Sequence, residues 1–164
     1  MMTSPVGDLK LVASSIGVVA ILWGADDVRV RFESLEQDAH LPLLLETEKQ
    51  LSEYFAGSRT SFDLPLDFRG TEFQKSVWTE LLKIPFGETR TYGQIAHSLN
   101  NPKSVRAVGA ANGKNPISIV APCHRVIGAN GTLTGFAGGL PTKHHLLQLE
   151  KVPVDFPPLG ASSV

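Results

Sequence analysis

The chain has one cysteine in 164 residues. A single thiol excludes an internal disulfide framework and any metal centre built from several thiolates, and a free sulfhydryl survives best in a reducing compartment. Net charge is also scarce, with 15 Lys and Arg against 16 Asp and Glu, so the total says nothing about partners until it is divided along the chain. No apolar run approaches the ~20 residues of a membrane span. The start, Met1-Met2-Thr3-Ser4-Pro5, lacks the basic stretch and apolar core of a secretory signal. The expectation is a soluble, cytoplasmic protein with no membrane partner.

What is present is ordinary globular composition, 42% hydrophobic and 19% charged, enough for one domain or two small ones. Divided, the charge becomes informative. Residues 1–70 carry six Lys/Arg against eleven Asp/Glu, whereas residues 83–125 carry six (Lys83, Arg90, Lys103, Arg106, Lys114, Arg125) against Glu88 alone. A basic segment beside an acidic one reads as a surface facing a polyanion, because phosphate contacts dominate nucleic-acid affinity. The basic segment also contains the cysteine.

In chain order, residues 9–23 are mostly apolar and β-favouring around Ser14-Ser15-Ile16-Gly17 and predict a hairpin. Val28-Arg29-Val30-Arg31-Phe32 alternates apolar with charged, predicting a third strand. Leu44, Leu51 and Phe55 lie at helical spacing in the stretch 41–55, predicting an amphipathic helix on that small sheet. Nothing in residues 1–67 has catalytic spacing, so this part is expected to be a scaffold, and the domain boundary is placed near Phe68. Thr71-Glu72-Phe73-Gln74 is a capping box opening a helix with Phe73, Val77 and Leu81 on one face. Thr91-Tyr92-Gly93-Gln94 is a second capping box, for a short helix to about Leu99. Asn101-Pro102 is expected to start the next helix, through Lys103 and Arg106 to Gly113. Two short helices joined by a tight turn form a helix-turn-helix pattern, although helical hairpins are common.

The chemistry concentrates in Ile119-Val120-Ala121-Pro122-Cys123-His124-Arg125-Val126-Ile127. Its β-branched flanks predict extended backbone at 117–120 and again at 126–127, with Pro122 stiffening the turn between. A thiol reacts as thiolate, and an adjacent imidazole can lower its pKa. The bland alternative is a buried cysteine packing as a small hydrophobe. For His97, His144 and His145 no ligand pattern forms with the single cysteine, so no metal is expected.

Pro122-Cys123-His124-Arg125-Val126-Ile127, with Arg106-Ala107-Val108-Gly109 and Asn115-Pro116 upstream and Gly135-Phe136-Ala137-Gly138-Gly139-Leu140 downstream, resembles the O6-alkylguanine-DNA alkyltransferase family. The matching block, from about Phe73 to Glu150, covers roughly half the chain. The resemblance implies an α/β (α+β) fold: residues 1–67 as a ribonuclease-H-like three-stranded sheet with a helix, and residues 68–164 as a mainly helical DNA-binding domain with the helix-turn-helix. It implies a suicide alkyltransferase that repairs O6-alkylguanine in double-stranded DNA, with no cofactor and as a monomer; cooperative assembly on DNA and action on O4-alkylthymine stay open.

The resemblance also implies residue roles. Cys123 takes the alkyl group after the base is flipped out of the stack, since O6 is unreachable inside a duplex. His124 acts as base, through a water because neighbours in an extended segment point opposite ways. Glu150 orients the imidazole, and Asn115 is the hinge between recognition helix and thiol. Tyr92 crowds the 3′ phosphate and Arg106 intercalates where the nucleotide leaves. Ala107 and Gly109 let the helix lie close to the minor groove. From the residues themselves, Lys103 is a candidate DNA contact, and Arg125 either ties loops together or contacts DNA phosphate. Phe136, Ala137 and Gly138 wall the base pocket, and Phe136 departs from the tyrosine common in the family, so one hydroxyl bond is lost. Three competing readings share parts of the pattern. A cysteine hydrolase needs an oxyanion site that nothing here suggests. A lesion binder of the same fold would lack the cysteine. A transcription regulator rests on the helix-turn-helix alone.

Overall fold

The structure, a computed structural model, describes residues 1–152 except 25, 26, 28, 31 and 33. Strands β1 (Met2–Ser4), β2 (Gly7–Ala13) and β3 (Val18–Trp23) form an antiparallel sheet in that order. The hairpin expected over residues 9–23 is present, with Leu9 opposite Trp23 and Leu11 opposite Ile21. Its turn is tight: a Cβ on Gly17 would lie 2.6 Å from the Pro65 carbonyl oxygen, so only glycine fits.

The third strand is not the alternating stretch 28–32. Arg29 and Val30 lie in a bend, Val28 and Arg31 fall outside the described residues, and Met2–Ser4 takes the third place by pairing with the far edge of β2. The reason is that the free edge of β3 is already occupied. Val18 N–H donates to the Pro65 carbonyl (2.9 Å), Asp67 N–H donates to the Val18 carbonyl (2.8 Å), and Ile21 N–H donates to the Pro116 carbonyl (2.9 Å). The alternation instead serves packing, since Val30 and Phe32 cover a cluster of Val12, Val19, Ala20 and Leu22.

Helix α1 (Pro42–Phe55) lies on the other face, where Leu51 and Tyr54 pack with Leu9, Val18 and Ile21. Its inward stripe also takes Thr47 and Gln50. These polar side chains are buried because they are satisfied: Thr47 Oγ1 donates to the Leu43 carbonyl (2.7 Å) and Gln50 pairs with both backbone groups of Asp63 (2.9 and 3.0 Å).

Helices α2 (Glu72–Leu81) and α3 (Tyr92–Ser98) start at the two expected capping boxes, with Thr71 and Thr91 each accepting from the N3 amide while Gln74 and Gln94 reach back. Each cap stabilises its helix by about 1 kcal/mol. Helix α4 (Val105–Gly113) begins later than Asn101-Pro102 predicts. Asn100 takes a left-handed conformation (φ 57°), its N–H donates to His97 and that of Asn101 to Ala96, which closes α3 as a Schellman motif. Asn101 is thereby consumed in ending one helix and Ser104 stands before the next. Short strands β4 (Arg90–Thr91) and β5 (Val126–Ile127) pair in parallel, and α5 (Leu140–Leu149) follows. Val77, Trp78 and Leu81 of α2, Ile95 and Ala96 of α3, and Val108 and Ala111 of α4 form a second core that includes Cys123 and Val126. Among the described residues, no helix is long and apolar enough to cross a membrane.

Candidate active site

The stretch before the thiol is a stack of turns rather than the extended run expected at 117–120. Ile117 makes an isolated bridge to Ile21, Val120 N–H donates to Ser118 (2.8 Å), Ala121 N–H donates to Ile117 (3.0 Å), and Ile119 sits at φ 72°. A β-branched residue in the left-handed region costs of order 1–3 kcal/mol and persists only where its surroundings hold it. Asn115 is the main restraint. Its Nδ2 donates to the Ala121 carbonyl (2.8 Å) and its Oδ1 accepts from Ile117 N–H (3.1 Å). Asn115, expected as the hinge between the recognition helix and the thiol, thus bonds backbone groups of Ile117 and Ala121 in the stretch between them.

Cys123, His124 and Arg125 form a single 3₁₀ turn, after which Val126 and Ile127 extend as expected. Cys123 is 3% exposed. Burial pushes its thiol up, against the Asn115 hydrogen bond and the positive charges of Arg29 and Lys143, which favour the thiolate. The adjacent imidazole is committed elsewhere: His124 Nε2 lies 2.6 Å from Glu150 Oε2, with both side chains fully buried. Burial lowers the His124 pKa against the hydrogen bond and charge of Glu150. With Glu150 ionised and able only to accept, Nε2 carries the proton. The lone pair is then on Nδ1, which is buried and has no partner among the described residues.

Glu150 is fixed at the end of α5 by a second Schellman motif, in which Lys151 (φ 56°) and Val152 donate to Gln148 and Leu147. Its carboxylate accepts from His124, from Arg125 Nε (2.7 Å) and Nη2 (3.1 Å), and from Tyr54 Oη (2.6 Å). Burial pushes this carboxyl up, but His124 and Arg125 outweigh it and hold the pKa at about 2. Arg125 also donates to the Ile84 carbonyl (2.7 Å) and is 6% exposed. Of the two readings of Arg125, tying loops together fits this geometry and the DNA contact is corrected: its guanidinium is engaged inside the protein as the counter-ion of Glu150.

The exposed face of α4 presents Lys103 just before the helix, then Arg106, Ala107 and Ala110, while Val108, Ala111 and Asn112 face inward. A Cβ on Gly109 would stand 3.8 Å from the Tyr92 ring, so α4 and the start of α3 meet there. Tyr92 Oη bonds Thr134 Oγ1 (2.8 Å), joining α3 to the glycine-rich loop. In that loop Phe136 tilts against Trp23 of β3, with centroids 5.5 Å apart, and a Cβ on Gly138 would lie 2.7 Å from the Trp23 ring. Ala137 is exposed beside them.

Three residues at the site carried no readable signal. Tyr54 lies 96 positions from the carboxylate it bonds, inside an ordinary amphipathic pattern. Lys143 has the form of a surface helix lysine, yet it is fully buried: its Nζ donates to the carbonyls of Val126 (2.6 Å) and Thr134 (3.2 Å), and burial pulls its pKa down to about 8. Arg29 belongs to the stretch whose alternation predicts a strand, and instead reaches Asn115 and Ser118.

Comparison with known proteins finds relatives over most of the chain. A family model described as 6-O-methylguanine DNA methyltransferase, ribonuclease-like domain, matches residues 1–68, and one described as 6-O-methylguanine DNA methyltransferase, DNA binding domain, matches residues 72–152. A methylated-DNA–protein-cysteine methyltransferase of Methanosarcina acetivorans is 50% identical over 149 residues, covering 90% of this chain and 94% of its own. The protein of that name from Mycolicibacterium paratuberculosis is 60% identical over 153 residues, 88% of this chain and 92% of its own. Among solved structures, the Mycobacterium tuberculosis OGT in complex with DNA superposes with a TM-score of 0.77 at 45% identity, covering 92% of this chain and 90% of that one.

Proposed function

The chain belongs to the 6-O-methylguanine DNA methyltransferase family, and on that premise we propose that it repairs DNA by moving an alkyl group from O6 of guanine to Cys123 and keeping it there. The observation that carries this reading is a single buried thiol next in sequence to the buried His124–Glu150 pair. An imidazole oriented by a carboxylate beside a thiol can take the thiol proton and leave a nucleophilic thiolate.

Glu150 holds the Nε2–H tautomer, so Nδ1 of His124 receives the thiol proton, relayed by a water molecule. The thiolate sulfur then attacks the alkyl carbon in line, forming a C–S bond as the C–O6 bond breaks. The electron pair leaves with the purine oxygen, and the proton held on the imidazole returns to the purine, restoring neutral guanine. A thioether is a poor leaving group in water, so each protein molecule acts once. The pocket closes on Phe136, Ala137 and Gly138, and the aromatic face of Phe136 supports stacking of the extruded base.

The DNA partner is a duplex carrying the lesion. Lys103, Arg106, Ala107 and Gly109 form the face that meets it, with Tyr92 at the point where the nucleotide rotates. The small residues favour close approach to phosphates, and Arg106 is exposed for insertion. The division of labour falls at residues 67/68, with residues 1–67 as the scaffold part and 68–164 as the transferring part; the family models, which change over between residues 68 and 72, support it. The protein acts as a monomer, in a reducing cytoplasm that keeps its thiol free.

The test uses duplex DNA radiolabelled in the methyl of O6-methylguanine. Label should accumulate on the protein to at most one methyl per molecule, and Cys123→Ala should take none while still binding the duplex in a gel-shift assay. Repeated turnover, or labelling of the alanine variant, contradicts the assignment.

A further inference from the structure

Asp27 draws two neighbours into one knot at the end of β3. Its carboxylate accepts the Trp23 N–H (2.9 Å) and pairs with Arg29, whose Nε and Nη2 lie 2.9 and 2.7 Å from Oδ2. Both side chains are largely out of water, 12% and 8% exposed. Held this way, the guanidinium points across to the thiol-bearing turn: Nη1 donates to the Asn115 carbonyl at 2.6 Å and Nη2 to Ser118 Oγ at 3.1 Å. Asn115 and Ser118 lie in the stretch that leads into Ile119, which sits at φ 72°, and Asn115 is the residue whose carboxamide reaches across that turn to the Ala121 carbonyl.

We propose that Arg29 is a positioning residue for the reaction: by gripping the Asn115 carbonyl and the Ser118 hydroxyl, it holds the turn in which the Asn115 carboxamide bonds the Ala121 carbonyl, and so fixes the place of Cys123 two residues on. Part of the acidic half of the chain is thereby assigned to reactivity rather than to scaffolding. Planar two-point contact is needed, because an ammonium can replace the charge but cannot bond Asp27, Asn115 and Ser118 from one fixed fork. Arg29 also acts through its field, since it and Lys143 are the cations that favour the thiolate against burial. The Asp27 carboxylate offsets that field, which leaves the hydrogen-bonded geometry as the larger contribution.

The inference rests on the proposed alkyl transfer, and the experiment separates the two. With the protein isotope-labelled at the cysteine Cβ, the single cysteine gives one resonance whose titration reads the thiol alone. Arg29→Met should raise the titration midpoint by about one pH unit and slow transfer from duplex O6-methylguanine about tenfold at neutral pH, one unit being one factor of ten in thiolate. Arg29→Lys keeps a cation against Asp27 and so keeps the fold; it should fall between wild type and Arg29→Met in both readouts. Wild-type midpoints and rates in both variants, whatever their melting temperatures, overturn the positioning role. A wild-type protein that takes no alkyl group overturns the proposed function instead, and the titration still decides the role of Arg29.

Discussion

Replacing Glu150 by glutamine tests the buried cluster through its pH dependence. The substitution keeps size and shape but removes the charge that answers Arg125, His124 and Tyr54. Breaking a buried pair by removing one partner costs about 3–5 kcal/mol, because the remaining charge stays buried without compensation. A second route gives a similar size. The Glu150 pKa falls from 4.5 to about 2 on folding, and each unit is worth about 1.4 kcal/mol, so ionisation of this one group contributes about 3 kcal/mol. Because the folded-state value lies below the unfolded one, that contribution is complete above pH 4.5 and disappears as the pH falls towards about 2. The assay is urea unfolding of wild type and Glu150→Gln, followed by fluorescence of Trp23 and Trp78, at neutral pH and at steps below 4.5. At neutral pH the variant midpoint should be lower by about 1.5 M urea, taking an m-value of about 2 kcal/mol/M. The gap should then narrow as the pH drops. A gap that is absent at neutral pH, or that holds constant down the acid limb, refutes the reasoning.

Two further substitutions address the DNA face and the base pocket. Arg106→Ala should slow repair of O6-methylguanine in a duplex while leaving the reaction with free O6-benzylguanine base near the wild-type rate, since a free base needs no flipping; equal slowing of both would remove Arg106 from extrusion. Gly138→Ala places a Cβ against the Trp23 ring, and overpacking of this kind costs about 1–3 kcal/mol. It should lower the melting temperature and slow the free-base reaction, and an unchanged rate would detach this contact from the pocket.

How much was readable before the structure differs by the range of the interaction. Capping boxes at Thr71 and Thr91 are local hydrogen-bond patterns between residues three apart, so they are legible from sequence, as is the hairpin over residues 9–23. The third strand was misplaced because alternation at 28–32 marks a surface with one apolar side, which a bend packing Val30 and Phe32 satisfies as well as a strand does. Which segment takes a sheet edge depends on the competition of Pro65 and Pro116 carbonyls for β3, and that is not a local property. The start of α4 was misjudged because Asn101 suits either a cap or the end of a Schellman motif, and the left-handed Asn100 decides between them. At the site, Cys123, His124 and Asn115 are close in sequence and came with the motif. Tyr54, Arg29 and Lys143 reach it from distant elements, and a buried lysine or arginine looks the same in sequence as a solvated one. For Arg125 the same ambiguity leaves loop-tying and phosphate contact both open, since a basic residue beside a thiol in a basic segment also suggests phosphate, and the position of Glu150 decides between them.

The most direct measurement is the mass of the Cys123 peptide after the protein has met a duplex carrying one O6-methylguanine per strand pair. That peptide alone should gain a methyl in place of a hydrogen, in step with the guanine restored in the DNA. Loss of the lesion with the peptide unchanged in mass, or the methyl found on another residue, would contradict it.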